Sequence, residues 1–289
     1  MNEQSGAFRA PEDMDVRAVF FDLDGTLLPM DLDEFLKRYF DSIARFMVRA
    51  GADQDDFKRG LSAGIAAMRD HDLDTTNDQE FWGAFMRYND GYWTDWIDRF
   101  DAYYLEVFPE VGRMVEPDPN AARVVGALVE KGYPLLLTTM PLFPPVAVDE
   151  RLKWAGLDSS LFKRATCFDN SRSTKPHAAY FVENMLAADV PADKVLMVGN
   201  NTVEDLACCD LGADAFLVTD NLLNPNGFDA TSVRNGTLAQ FASWVERLPV
   251  CANPAASVER GSVDPTFTGA ALARLGVVPR KRGPEGMDA

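Results

Sequence analysis

The sequence predicts an α/β protein: a parallel sheet wound on both sides, with an all-helical segment inserted into it. Three observations point there. Several short apolar runs lack polar alternation, the mark of strands buried on both faces. From residue 116 onward those runs alternate with helical patterns of about 10–15 residues, which makes successive strands parallel. Between the first run and the rest, residues 31–115 carry helical periodicity alone.

The first run, Val16 to Phe21, is broken only by Arg17 and stops at Asp22-Leu23-Asp24-Gly25. Ligands of open α/β sheets bind beyond the carboxyl ends of such strands. Two carboxylates there, with a glycine allowing a sharp turn, make a hard-oxygen site suited to magnesium and a phosphate ester. The insert then begins. Asp31 and Glu34 have capping-box spacing, and Phe35, Tyr39, Ile43 and Met47 form one helical stripe that Gly51 closes. A second helix starts near Asp53 and carries Phe57, Leu61, Ile65 and Met68. Asn77 and Glu80 cap a third, ahead of Phe81, Trp82, Phe85 and Met86, and a fourth runs from Trp93 to Val107. These aromatics are expected to form the insert's own core.

After Pro117 and Pro119, helices are expected at 120–131, 146–155, 178–188, 202–211 and 237–248. Strands are expected at 134–138, 165–168, 194–198 and 213–218, the last closing the sheet. The expected organisation is a core of 1–30 with 116–250, a helical unit of 31–115, and a tail of 251–289 that packs loosely or is disordered.

Composition narrows the partners. The chain of 289 residues is 47% hydrophobic and 25% charged, which is ordinary for a globular protein, but its net charge is −17. That field argues against nucleic acid or an anionic membrane as partner. An anionic substrate must therefore be drawn in by a local cationic site. The first residues lack a basic start and apolar core, and Pro134–Val148 is short and interrupted by prolines, so neither a secretory signal nor a membrane span is expected. The four cysteines have neither disulfide-framework nor zinc spacing, and a cytoplasmic protein with reduced thiols is expected.

Three later segments repeat the theme of the first. Leu135-Leu136-Leu137-Thr138-Thr139 ends a strand in hydroxyls. Lys175-Pro176 sets a cation ahead of a helix. Val198-Gly199-Asn200-Asn201-Thr202-Val203-Glu204-Asp205 runs from a strand into an acidic helix start. With Asp22-Leu23-Asp24-Gly25-Thr26, these four pieces in this order resemble the haloacid dehalogenase-like (HAD) superfamily across residues 16–220.

The resemblance implies a Rossmann-like core with a helical cap, and a magnesium-dependent phosphatase acting on a small phosphorylated metabolite. It makes Asp22 the nucleophile and Asp24 the acid and base, a residue that dehalogenase members generally lack. It assigns Thr139 to the phosphoryl group, with Thr138 as the neighbouring alternative, and Lys175 to the phosphoryl oxygens or Asp22. Asp22, the Asp24 carbonyl and an acid of the fourth segment would hold magnesium. In that segment Asn200 and Asn201 stand where relatives carry acids. The metal set implied is therefore Asp22, Asp24, Asn200, Asn201 and Asp205, with magnesium bound more weakly. A binding protein with eroded catalysis and a phosphomutase or phosphotransferase are the alternatives.

Overall fold

The computed structural model describes residues 8–113 and 115–256. Six strands form one wholly parallel sheet: β1 (Ala18–Phe21), β2 (Leu135–Leu137), β3 (Phe162–Ala165), β4 (Val195–Gly199), β5 (Asp214–Val218) and β6 (Arg234–Gly236). Their spatial order is β3-β2-β1-β4-β5-β6. The chain winds outward from β1 through β2 to β3, then returns to lay β4 on the other side of β1. The reversal opens a crevice between the carboxyl ends of β1 and β4, where ligands of such sheets bind.

Strand residues alternate between two apolar layers. Val19, Phe21, Leu135, Leu137, Leu196 and Val198 pack under helices α5 (Pro119–Glu130), α6 (Pro145–Trp154) and α8 (Leu238–Glu246). Ala18, Phe20, Leu136, Val195 and Met197 pack on the opposite side against α7 (Ala178–Ala187). Covering both faces is why these strands read as unbroken apolar runs.

Four helices lie between β1 and β2: α1 (Leu32–Arg49), α2 (Gln54–Arg69), α3 (Asn77–Phe85) and α4 (Trp93–Glu106). Asp31 caps α1 by accepting from the Glu34 amide at 3.0 Å, and Asp53 caps α2 through the Asp55 and Asp56 amides. Phe35 on α1 reaches across to Phe143 and Trp154, with ring centroids 6.2 and 6.1 Å apart, so insert and sheet share one hydrophobic core.

Four expectations move. The third strand lies three residues earlier than 165–168, because this edge strand carries Lys163 and Arg164 and hides its apolar pattern. A sixth strand, Arg-Asn-Gly, follows the expected last one; being polar and three residues long, it has no apolar run to announce it. Residues 202–211 are not an α-helix: turns lead into a 3-10 helix, Leu206–Leu211, closed by Gly212 at φ +100°. Helix α3 takes Thr76 as its cap, with the Thr76 amide donating to Gln79 Oε1 at 3.1 Å, and Asn77 turns inward instead.

The expected tail lies outside the described residues from 257 onward. Its first residues pack on the core: the Cys251 amide donates to Lys131 O at 2.8 Å and that of Ala255 to Arg17 O at 2.9 Å. All four cysteines are free thiols. No helix among the described residues is long and apolar enough to cross a membrane.

Candidate active site

Asp22 is the first residue beyond β1, and its amide donates to Val198 O of β4 at 2.9 Å, which seats it in the crevice. Gly25, at φ +84°, turns the chain back toward the sheet, and a side chain there would run into the Asn200 amide. That turn aims the Thr26 hydroxyl at Asp22 Oδ2, 3.1 Å away, and at Asn200 Oδ1, 3.3 Å away.

Lys175 arrives from the loop before α7 and is buried. Its ammonium donates to Asp22 Oδ1 at 2.7 Å and to Asp205 Oδ1 at 2.6 Å. Burial opposes that charge, but Asp205 and then Asp22 outweigh it and hold the lysine pKa well above its usual value. Burial likewise pushes the Asp205 carboxyl up, against the pull of Lys175. Asp205 Oδ2 accepts from the Asn201 amide at 2.9 Å. Sequence segments 153 and 30 residues apart thus meet at one ammonium.

Thr138 and Thr139 part company beyond β2. The Thr138 hydroxyl is spent on Phe21 O at 3.2 Å. The Thr139 hydroxyl is buried and has no hydrogen-bond partner, while its carbonyl accepts from Thr166 and Tyr180 hydroxyls at 2.7 and 2.8 Å. The backbone is therefore pinned and the hydroxyl is left to offer.

Asp24 is held by a residue that sequence reasoning missed. Its Oδ2 accepts from Arg151 of α6, which is fully buried and lies 4.5 Å from the Phe143 ring centre. Asp24 Oδ1 has no partner. Burial raises the Asp24 pKa, with Arg151 pulling the other way. The signal was available: Ala147, Val148, Arg151 and Leu152 share one helical face, and a cation on an apolar face needs an acid.

A family model for haloacid dehalogenase-like hydrolases matches residues 16–208, two-thirds of the chain and all four segments of this site. The chain belongs to that family. Among similar solved structures, a 2-haloacid dehalogenase from Pseudomonas syringae pv. Tomato DC3000 is 18% identical, covers 80% of this chain and 99% of its own, and superposes with a TM-score of 0.53. A HAD phosphatase from Thermococcus onnurineus is 20% identical, covers 81% and 100%, and has a TM-score of 0.50. At such identities the likeness is one of fold. No curated protein matches the sequence.

HAD-family hydrolases generally use magnesium, and the donor set here can be tested against it. Among the described residues, no three His, Cys, Asp or Glu side chains are grouped to hold a metal. Asp205 has both oxygens engaged, and Asn201 Oδ1 is committed to the Val203 and Glu204 amides at 2.9 and 3.1 Å, so it caps a turn. Asn201 is thus not brought to Asp22. Asn200 is: its Oδ1 and Asp22 Oδ2 converge on the single Thr26 hydroxyl, and its Nδ2 donates to Asn221 O at 2.6 Å. One carboxylate and one amide oxygen facing the same point fit a magnesium ion that keeps several waters and takes the rest of its ligands from a phosphate.

The insert's aromatics also do more than the sequence suggested. Tyr39, Phe81, Trp82, Phe100 and Tyr104 fill its core, yet with Phe143 they wall a cavity of about 380 Å³ against the sheet domain.

Proposed function

We propose that this HAD-family hydrolase is a magnesium-dependent phosphatase for a small phosphate monoester. The observation that carries the reading is a pair of carboxyls, two residues apart, held by different partners. Asp22 has one oxygen on the Lys175 ammonium and the other on the Thr26 hydroxyl, while Asp24, two residues on, has one oxygen on Arg151 and the other free, and burial raises its pKa against the pull of that arginine. Paired acids in different surroundings can divide the roles of nucleophile and acid between them, the one beside the ammonium attacking and the one with a free oxygen moving the proton.

In this reading, an Asp22 oxygen forms a bond to phosphorus as the ester P–O bond breaks, and Asp24 gives its proton to the departing alkoxide. Asp24 then takes a proton from water as that water attacks phosphorus and frees Asp22. Lys175 and the Thr139 hydroxyl face the negative charge of the phosphoryl oxygens. Asp22, the Asp24 main-chain carbonyl and Asn200 would hold magnesium, which supplies further positive charge to the phosphoryl group when bound. Arg151 positions Asp24.

Hydrolysis of an aryl phosphate with and without magnesium tests the reading. Asp22→Asn is expected to lower kcat/KM on the order of a thousandfold or more while leaving the fold intact. Full activity in that variant would end the proposal. The amide at position 200 favours a second reading, a binding protein whose catalysis has eroded. Asn200→Asp separates the two: a tighter magnesium requirement with faster turnover supports the phosphatase, whereas phosphomonoester binding with no turnover in either protein supports the alternative.

A further inference from the structure

Two openings differ in the charge of their walls, one touching the catalytic groups and the other lined by the loop that leads to Lys175. A groove of about 700 Å³ beside Asp24 and Asn200 is lined by Asp31, Asp33 and Asp220 and has no basic residue in its walls. A smaller pocket of about 230 Å³, at the seam between the end of α2 and the loop before α7, is lined by Arg69, His71, Arg172 and His177, with Asp70 the one acid. Four basic side chains around so small a space are unusual in a chain of net charge −17. Like charges that outnumber their counter-charges repel one another, so an arrangement of this kind favours an anion that joins it.

The partners of these side chains are few. Among the described residues, Arg69, Arg172 and His177 make no ion pair within 4 Å, and Arg172 Nε is buried without a hydrogen-bond acceptor. Both ring nitrogens of His71 face oxygens, Asp72 O at 2.7 Å and Asn77 Oδ1 at 2.8 Å, and the second is fixed as an acceptor because Asn77 Nδ2 donates to Pro141 O and Ser173 O. The same Asn77 latches the insert to the loop that carries Lys175: its main-chain amide donates to Ser171 O at 2.9 Å.

Position ties the pocket to the site. Ser173 lines it two residues before Lys175, a chain distance of about 7 Å, and the Lys175 ammonium is 2.7 Å from Asp22. Arg69 also acts on half-buried Glu204, which in turn feels Lys175 and Asp22.

We infer that this seam pocket binds an oxyanion, the distal carboxylate or second phosphate of the ester whose phosphoryl group sits at Asp22. The inference rests on the phosphatase reading for the identity of the ligand, though not for the anion site itself. It assigns substrate selection to charge at Arg69 and Arg172, on opposite sides of the seam.

Two measurements decide it. The first is the kcat/KM ratio between a short phosphate ester ending in a carboxylate and the same ester ending in a hydroxymethyl group. Arg69→Met and Arg172→Met, made singly so that one misfolded variant does not end the test, are each expected to lower that ratio by about tenfold, the worth of one charge-assisted hydrogen bond. An unchanged ratio in both folded variants overturns the inference. The second is sulfate binding by calorimetry, which needs no turnover. Affinity should fall about tenfold in the same variants and persist in Asp22→Asn. If the wild-type protein hydrolyses nothing yet sulfate binding follows the two arginines, the phosphatase reading fails and the anion site stands. If sulfate affinity ignores them, the anion site fails.

Discussion

Arg151 and Asp24 show how much rests on a single buried pair. Each partner is nearly sealed from water, and Arg151 further leans on Phe143. Removing one member of such a pair strands the other's charge, which typically costs about 3–5 kcal/mol. Arg151→Met is therefore expected to lose about that much stability by urea unfolding. Asp24→Asn in the same chain should recover a good part of it, since the stranded charge is gone. A double variant no more stable than Arg151→Met alone would show that the cost comes from packing on Phe143. The pair also bears on turnover, because an Asp24 carboxyl free to rotate is no longer aimed at a leaving group.

Helix α2 shows how glycine permits a close approach. Gly60 and Gly64 are one turn apart and both face α3. A Cβ on Gly64 would lie 2.5 Å from the Phe81 ring and 3.1 Å from Phe81 O, and one on Gly60 would lie 3.0 Å from Phe85 O. These contacts bring Phe57 against Phe85 with ring centroids 6.0 Å apart. Gly64→Ala should thus destabilise by about 1–3 kcal/mol despite alanine's better helix propensity. Gly83 of α3 is the opposite case, since a Cβ added there would meet nothing within 4 Å. Gly83→Ala is expected to stabilise by up to about 1 kcal/mol. Thermal unfolding of the two variants gives opposite signs if close packing, rather than local propensity, holds these helices.

At the scale of the whole molecule, one apolar cluster runs from the insert to the sheet. Tyr39 and Tyr104 sit inside it, sharing a hydrogen bond of 2.7 Å. Burial pushes Tyr39 up to about 12 from its ordinary 10.0, and Tyr104 well above its usual value. The folded state then keeps its phenol protons where the unfolded chain releases them. Stability is fully present below about pH 10 and is lost as pH rises toward 12, by about 2–3 kcal/mol from Tyr39 alone. Urea midpoints should fall steeply across that window, with insert and sheet unfolding together. In Tyr39→Phe the alkaline fall should shrink, at the cost of about 1 kcal/mol near neutral pH from the lost hydrogen bond.

Local chemistry was enough to reveal the alternation of helix and strand, the helical insert, and the acids, hydroxyls and lysine at strand ends. Each rests on periodicity, caps or a short string of neighbours, and apolar runs such as Phe20-Phe21 and Val195–Val198 declare a doubly covered strand without help. What local chemistry conceals is whatever depends on distant partners. The polar edge strand Arg234–Gly236 exists only because β5 pairs with it. The choice between Thr138 and Thr139 turns on which hydroxyl Phe21 O occupies, and the withdrawal of Asn201 from the site turns on two amides of a turn. Arg151 meets Asp24, and Arg69 shares a pocket with Arg172, across gaps of 127 and 103 residues. Sequence carries information about neighbours along the chain; charge balance and hydrogen-bond commitment are properties of neighbours in space, and only the folded sheet brings those together.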